Sequence, residues 1–227
     1  MEALNASSEG KEIIRKDLVP ALNLAVIRDY TEIVERILKL GVRPGSNLLA
    51  SAVRSKNEKV VDLLFVYGIG ESKHYNDALE DAMKIAIDQN DEAMVRRLDM
   101  MGADADDDTY IIMAAKKGLT DLVNFFARLG ANPRANNDQP IETALLEGHL
   151  DTVQALQELG ADPTVDYMYT LRATARKGYA DIVEFLIELK PNNLKAAAER
   201  ALLVLKGCNV EAKILHMLQN AANEEDY

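Results

Sequence analysis

The 227-residue chain has no tryptophan, and aromatic residues make up only 5% of it, so we expect a mainly aliphatic core. Its single cysteine, Cys208, rules out an intrachain disulfide and a zinc site built from several cysteines. No apolar run approaches the roughly 20 residues that a membrane-spanning helix needs. The first residues also lack the apolar stretch of a signal peptide. We therefore expect a cytoplasmic protein with no membrane partner.

Basic residues are in the minority. The chain has 26 Lys and Arg against 37 Asp and Glu, which gives a formal net charge of −11. A negative mean field repels phosphate, and this disfavours non-specific binding to nucleic acid. It does not exclude a local basic patch.

Residues that could carry catalysis are few and scattered. The three histidines, His74, His149 and His216, lie far apart along the chain, in different segments. No nucleophile elbow, phosphate-binding glycine loop or His-Glu-x-x-His pattern occurs. The densest carboxylate cluster, at 104–108, lacks the glycine and closing glutamate of a calcium-binding loop. We interpret it as a solvated loop in which Asp108 caps a helix, with a cation site as the alternative, and we predict no catalytic, cofactor or metal site.

The chain contains internal repeats. Six segments align on a valine that recurs at intervals of roughly 30 residues, a period typical of repeat architectures. A seventh, weaker segment has Ile214 at this position. The aligned valines are Val34, Val61, Val95, Val123, Val153 and Val183.

Each repeat reads as two helices. Apolar residues around the valine follow helical spacing, and in most copies a glycine seven residues later is typical of a helix end. A small residue nine positions before the valine marks a shorter helix that precedes the valine helix, and a tight turn joins the two. The shorter helix is therefore the first helix of each repeat, and the valine helix is the second. The spacing predicts pairs at 21–29 with 32–40, 109–117 with 120–129, and 139–147 with 151–159. Stacking such pairs buries apolar faces that one pair cannot bury alone, so we predict an all-α solenoid.

Two segments carry a family resemblance. MAAKKGLTDLVNFFARLGANP (113–133) and IETALLEGHLDTVQALQELGADP (141–163) resemble ankyrin repeats, and weaker similarity extends over about residues 18–190. Most copies are shorter than the usual ankyrin repeat, and the shortage falls in the loops. The resemblance to short-loop ankyrins of large DNA viruses and intracellular bacteria implies little or no β-hairpin, and location in a host cytosol if the source is of that kind. Only the segment at 68–81 is long enough for a full hairpin or an extra turn of helix.

The predicted organisation has four parts. Residues 1–20 form an N-terminal cap, 21–192 form six ankyrin-like repeats, and 193–222 form a C-terminal capping helical pair. The acidic tail 223–227 is expected to be disordered. In the capping pair the residues expected to point inward are Leu202, Leu203, Leu205, Ile214 and Leu218.

Candidate binding residues come from two patterns. Cations recur where the first helix of a repeat ends, and the resemblance implies that these positions face a concave binding groove; stabilisation of the helix dipole is the alternative explanation. Tyrosines recur in or after the inter-repeat loops, and tyrosine is frequent in binding hot spots; for Tyr110, packing against a neighbouring loop is the alternative. The predicted partner-binding residues are Arg54, Tyr110, Lys116, Lys117, Tyr167, Tyr169, Arg176 and Lys177.

The resemblance implies a non-enzymatic protein–protein interaction module that sequesters or scaffolds a partner protein. Two alternatives are a nucleic-acid-binding solenoid that uses a basic stripe and an enzyme with a site built from loops. The sequence leaves open the identity of the partner and the oligomeric state.

Overall fold

The structure is a computed structural model that describes residues 8–71 and 74–223. Within these ranges the chain is all-helical and contains no β-strand, which confirms the predicted fold class. The chain divides into two compact units, residues 1–104 (unit 1) and 105–227 (unit 2). No helix in the described ranges is long and apolar enough to cross a lipid bilayer.

The described residues of unit 1 form three helix pairs. Its first helices pack side by side, α1 against α3 and α3 against α5, while α2 packs against α4. Each first helix also packs on the second helix of its own pair. The helices are α1 (Ser8–Ile27), α2 (Thr31–Lys39), α3 (Asn47–Arg54), α4 (Glu58–Val66), α5 (Tyr75–Asp88) and α6 (Glu92–Met100), with a 3₁₀ turn at Ile69–Glu71.

Up to residue 223, unit 2 forms four helix pairs with the same arrangement. Its first helices α7, α9, α11 and α13 pack in that order, and α8 packs on α10. The first three residues after Ala135 in α9 are left-handed, so its regular part begins near Gln139, as the sequence predicts. The helices are α7 (Asp108–Lys116), α8 (Thr120–Leu129), α9 (Ala135–Glu147), α10 (Leu150–Glu158), α11 (Tyr167–Lys177), α12 (Ala180–Glu188), α13 (Leu194–Leu205) and α14 (Ala212–Asn223).

The aligned valines form the core of both units. All six, together with Ile214, are completely buried. Full burial of such a side chain contributes about 1.5–3 kcal/mol, so this one position stabilises every repeat. The residue seven positions later is left-handed in all six copies, even where Lys190 replaces glycine. The predicted helix pairs agree with the observed helices to within about four residues, except that α1 begins at Ser8, well before the start predicted at residue 21.

The described residues of the segment at 68–81 are largely helical. A 3₁₀ turn lies at Ile69–Glu71 and α5 starts at Tyr75, so these residues follow the helical alternative. The hydroxyl of Tyr75 donates a hydrogen bond of 2.8 Å to the carbonyl oxygen of Met101. This bond holds the extra helical turn against the end of α6, and burial raises the pKa of Tyr75 above its usual value.

The described helices add detail at the two chain ends. The boundary predicted at residue 20 falls inside α1, which runs without a break through Pro20. In the C-terminal pair Leu203 is 64% exposed, because the buried side of α13 is formed by residues such as Ala198 and Leu205. The predicted extents of the repeats and of the capping pair stay predictions. Residues 1–7 of the cap and 224–227 of the acidic tail lie outside the described residues.

Candidate protein-binding surface

Polar contacts between successive repeats hold the ends of the first helices in place. In unit 1 the side chain of Gln89 donates to the carbonyl oxygen of Arg54 over 2.9 Å. In unit 2 the side chain of Lys177 donates to the equivalent carbonyl oxygen, that of Leu146. Each bond satisfies a carbonyl group that the helix itself leaves unpaired at its C-terminus. The first helices therefore present their side chains from fixed positions.

His149 has a structural place in this arrangement. Its Nε2 lies 3.1 Å from the carbonyl oxygen of Lys116, one repeat earlier. Its ring covers Gly118, where an added Cβ would lie 2.6 Å from the ring nitrogen Nδ1. Tyr179, one repeat further on, covers Gly148 in the same way. We therefore interpret both rings as packing elements between repeats.

The predicted cations of unit 2 fall into two groups. Lys116 and Arg176 are exposed at equivalent positions of α7 and α11, and Leu146 occupies the same position on α9 between them. Lys177 is engaged with the preceding repeat, since it also lies 3.6 Å from the carboxylate of Glu147. Lys117 is half-buried and has a polar contact of its own. Lys116 and Arg176 are thus the cations best placed to meet a partner.

Arg54, the remaining predicted cation, belongs to unit 1. Arg54 is exposed at the end of α3, and its carbonyl oxygen accepts the hydrogen bond from the side chain of Gln89. It occupies the position in its repeat that Lys116 and Arg176 occupy in theirs. The structure therefore leaves the Arg54 guanidinium on the surface of unit 1.

Two of the three predicted tyrosines lie in the core. Tyr110 is 1% exposed, and its ring centroid lies 5.7 Å from that of Phe126. Tyr167 is 3% exposed, and its hydroxyl donates a hydrogen bond of 2.7 Å to the carbonyl oxygen of Leu186. Burial raises the pKa of Tyr167 far above its usual value. Both side chains turn inward from the first turn of their helices, so they are not on a surface that could contact a partner.

Tyr169 is the predicted tyrosine that reaches the surface. It is 48% exposed, and the guanidinium carbon of Arg172 lies 5.7 Å from its ring centroid, within cation–π range. Arg172 is not among the residues predicted from the sequence, and its contact with Tyr169 adds it to the candidates. The available signal was its spacing, because residues three apart on a helix share a face.

These residues define one surface of unit 2, which we call the first-helix surface. Its members are exposed or half-buried, and they come from three helices that pack side by side. It combines three cations and one carboxylate with aliphatic and aromatic side chains. It consists of Ile112, Lys116, Glu142, Leu146, Tyr169, Arg172 and Arg176.

The carboxylates near residue 108 connect loops. Asp107, rather than the predicted Asp108, caps α7 by accepting a 2.7 Å hydrogen bond from the backbone N–H of Thr109. Asp108 instead accepts a 2.7 Å bond from the N–H of Asn132 in the next loop. A capping side chain must precede the first helical turn, and α7 starts one residue earlier than predicted.

The same connection recurs one repeat later. Asp138 accepts hydrogen bonds of 3.0 Å from the N–H of Asp162 and from the guanidinium of Arg134. Burial works to raise the pKa of Asp138, but these hydrogen bonds outweigh it and hold the pKa below its usual value. Across residues 8–71 and 74–223, no three His, Cys, Asp or Glu side chains are grouped so that they could hold a metal ion.

Unit 1 has a shallow hollow of about 230 Å³ between α3 and α5. His74 and Asp77 lie at its edge with 3.3 Å between Nδ1 and Oδ2, and both are largely open to solvent. His74 is thus solvated. The lining residues are Ser46, Asn47, Ala50, His74, Asp77, Ala78 and Asp81.

Comparison with known protein families identifies the repeats. Residues 82–167 match the family model of ankyrin repeats in three copies. A comparison with curated proteins finds no match to the chain. Ankyrin repeats are in general protein–protein interaction modules, and the family is in general non-enzymatic. The match supports the predicted resemblance to the ankyrin-repeat family, and residues 82–167 carry the three matched copies.

Proposed function

We propose that this chain is a non-enzymatic interaction module that binds a partner protein through the first-helix surface of unit 2. One observation carries the proposal. Exposed cations and apolar side chains come together on three adjacent helices of a chain whose net charge is −11. Binding there would sequester the partner or hold it beside another protein.

The chemistry of the surface indicates the kind of segment it binds. Leu146 lies between two exposed cations, Lys116 and Arg176, and so offers an apolar contact flanked by positive charge. Tyr169 and Arg172 provide a second contact site of the type that dominates binding energy in many interfaces. A matching partner segment carries carboxylates on both sides of an apolar side chain.

The rigidity of the surface favours binding. The helices that carry it are fixed by inter-repeat contacts such as those of His149 and Lys177. Little conformational entropy is lost when a surface is already ordered before it meets its partner. The cations also attract an acidic partner before contact, which raises the association rate.

The test begins by capturing partners with tagged full-length chain from cells of its source and identifying them by mass spectrometry. The affinity of the best-captured protein is then measured by calorimetry for wild type and for two variants. These are the double variant Lys116→Glu with Arg176→Glu, and the single variant Tyr169→Ala. Each is expected to weaken binding about tenfold or more, because both lie in the proposed contact.

A matched control separates local contact from general charge. Arg128 is an exposed cation at the end of a second helix, α8, so Arg128→Glu changes the net charge without touching the first-helix surface. We expect Arg128→Glu to bind nearly as wild type does. Lys177 is left unchanged, because its reversal would break the contact with Leu146 and disturb the fold. Wild-type affinity in both test variants, with unchanged circular dichroism, would show that binding lies elsewhere.

A further inference from the structure

The first repeat of unit 1 exposes apolar side chains on one side of α2. Ile33 is 47% exposed, Tyr30 is 54% exposed and Leu40 is 61% exposed. Arg36 is also exposed, and it lies on the same side of the helix as Ile33 and Leu40. We call this surface, formed by Tyr30, Ile33, Arg36 and Leu40, the N-terminal face.

The position of Ile33 is buried in every other valine-aligned repeat. Residues that directly precede the aligned valine are at most 1% exposed in these repeats. They are Val60, Met94, Leu122, Thr152 and Ile182. The exposure of Ile33 is therefore peculiar to the first repeat and does not reflect the repeat pattern.

Contacts within the units show what normally covers these positions. Thr152, the equivalent of Ile33, lies 2.8 Å from Thr120 of the preceding repeat, hydroxyl to hydroxyl. Arg97, the equivalent of Arg36, donates to Asp62 of the preceding repeat over 2.6 Å. His149, the equivalent of Tyr30, covers the turn of the preceding repeat. At Tyr30, Ile33 and Arg36 the N-terminal face is thus a repeat-to-repeat interface with no described repeat packed on it, and Leu40 extends its apolar surface.

We propose that the N-terminal face binds a second copy of the chain and forms a twofold dimer. The half-exposed side chains of Tyr30, Ile33 and Leu40, together with Leu24 of the adjoining helix α1, leave roughly 400 Å² of apolar surface, the size of patch that marks interaction sites. Two such faces with their polar surroundings reach the roughly 1,000 Å² that a specific interface needs. Closed twofold dimers are also the commonest homo-oligomers.

The face is complementary to itself. Tyr30 and Arg36 stand three residues before and three residues after Ile33. When two α2 helices pack antiparallel about Ile33, Arg36 of each copy meets Tyr30 of the other. This forms two cation–π contacts, and the apolar centre of the interface is Ile33 against Ile33.

The experiment measures the mass of the full-length chain by sedimentation equilibrium at up to about 200 µM, where micromolar affinities are detected. We expect a dimer of the 25.1 kDa chain and no larger species. Ile33→Asp should raise the dimer dissociation constant at least about 100-fold, since it places two carboxylates in the apolar centre. The control is Val66→Asp at the end of α4, where the valine side chain is 74% exposed. This variant should remain dimeric.

A double-mutant cycle tests the predicted pairing. Tyr30→Ala and Arg36→Ala should each raise the dissociation constant about fivefold, and the double variant should raise it by little more than either alone. Both substitutions lie on exposed side chains, so they keep the test decisive if Ile33→Asp fails to fold. A monomer at every concentration, an open series of larger species, or a wild-type dimer in Ile33→Asp would each overturn the proposal.

Discussion

Replacing Gly118 with alanine tests whether ring packing between repeats stabilises the array. Gly118 has a φ of +70°, which alanine adopts only at a cost of about 1–2 kcal/mol. The new Cβ would also lie 2.6 Å from Nδ1 and 2.7 Å from Cγ of His149, closer than atoms in contact allow. The ring must then move, and overpacking of this kind costs roughly a further 1–3 kcal/mol.

Gly178 provides the matched control. Its φ of +85° is similar, but no atom lies within 4 Å of the position its Cβ would take. Gly178→Ala should therefore cost only the backbone term of about 1–2 kcal/mol, partly offset by the lower entropy of the unfolded chain. We expect Gly118→Ala to lower the free energy of unfolding by about 2–4 kcal/mol, roughly 1 kcal/mol or more beyond the loss in Gly178→Ala.

The assay is urea unfolding followed by far-ultraviolet circular dichroism, with a cycle that includes His149→Ala. Removing the ring should relieve the clash, so Gly118→Ala in the His149→Ala background should cost no more than Gly178→Ala. Equal losses for the two glycine variants in the wild-type background, or strictly additive losses in the cycle, would refute the packing role of His149.

Three further outcomes are expected. Val153→Asp buries an unpaired carboxylate in a middle repeat and should destabilise unit 2 in a urea titration. Its loss of unfolding free energy should exceed that of Ile214→Asp near the end of the array, because a middle repeat contacts two neighbours. Equal losses would contradict the linear coupling of repeats. Tyr167→Phe leaves a buried carbonyl oxygen without its donor and should cost about 1–3 kcal/mol, whereas Tyr169→Phe at the surface should change stability by less than about 0.5 kcal/mol. The pKa of Asp138 is lowered in the folded protein, so its contribution to the free energy of unfolding is present above its ordinary pKa of 3.8 and is lost as the pH falls through the folded value. Asp138→Asn should therefore flatten the acid side of a curve of unfolding free energy against pH. An unchanged curve would refute the stabilising role of the Asp138 carboxylate.

The repeat core can be predicted from the sequence because its signal is periodic. A valine that recurs once per repeat within helical spacing has one physical explanation, a buried stripe, and all six valines are buried. The ends of the valine helices can also be predicted, because the left-handed residue seven positions after each valine stops the helix. The alignment places Val123 and Val153 in the core without any knowledge of what packs against them.

The candidate site can be predicted only in part, because composition does not show which way a side chain turns. Tyr167 and Tyr169 are two residues apart, and one is buried while the other is half-exposed. Which of the two side chains is buried depends on the residue at which α11 begins, and helix boundaries predicted from sequence are uncertain by a few residues. The same small shift moves the helix cap from Asp108 to Asp107. For Lys177, no sequence pattern distinguishes a free surface cation from one that contacts Leu146 of the preceding repeat.

Two equivalent hydrogen bonds between loops make unit 2 compatible with the loss or gain of one whole repeat. Asp108 bonds the N–H of Asn132, and Asp138 bonds that of Asp162, so donor and acceptor both advance by one repeat. Excision of the segment 121–150 would bring Asp162 to the place of Asn132, and Asp108 would find an equivalent N–H. The array could thus lose or gain a period by deletion or duplication of the gene segment while this loop connection keeps its register.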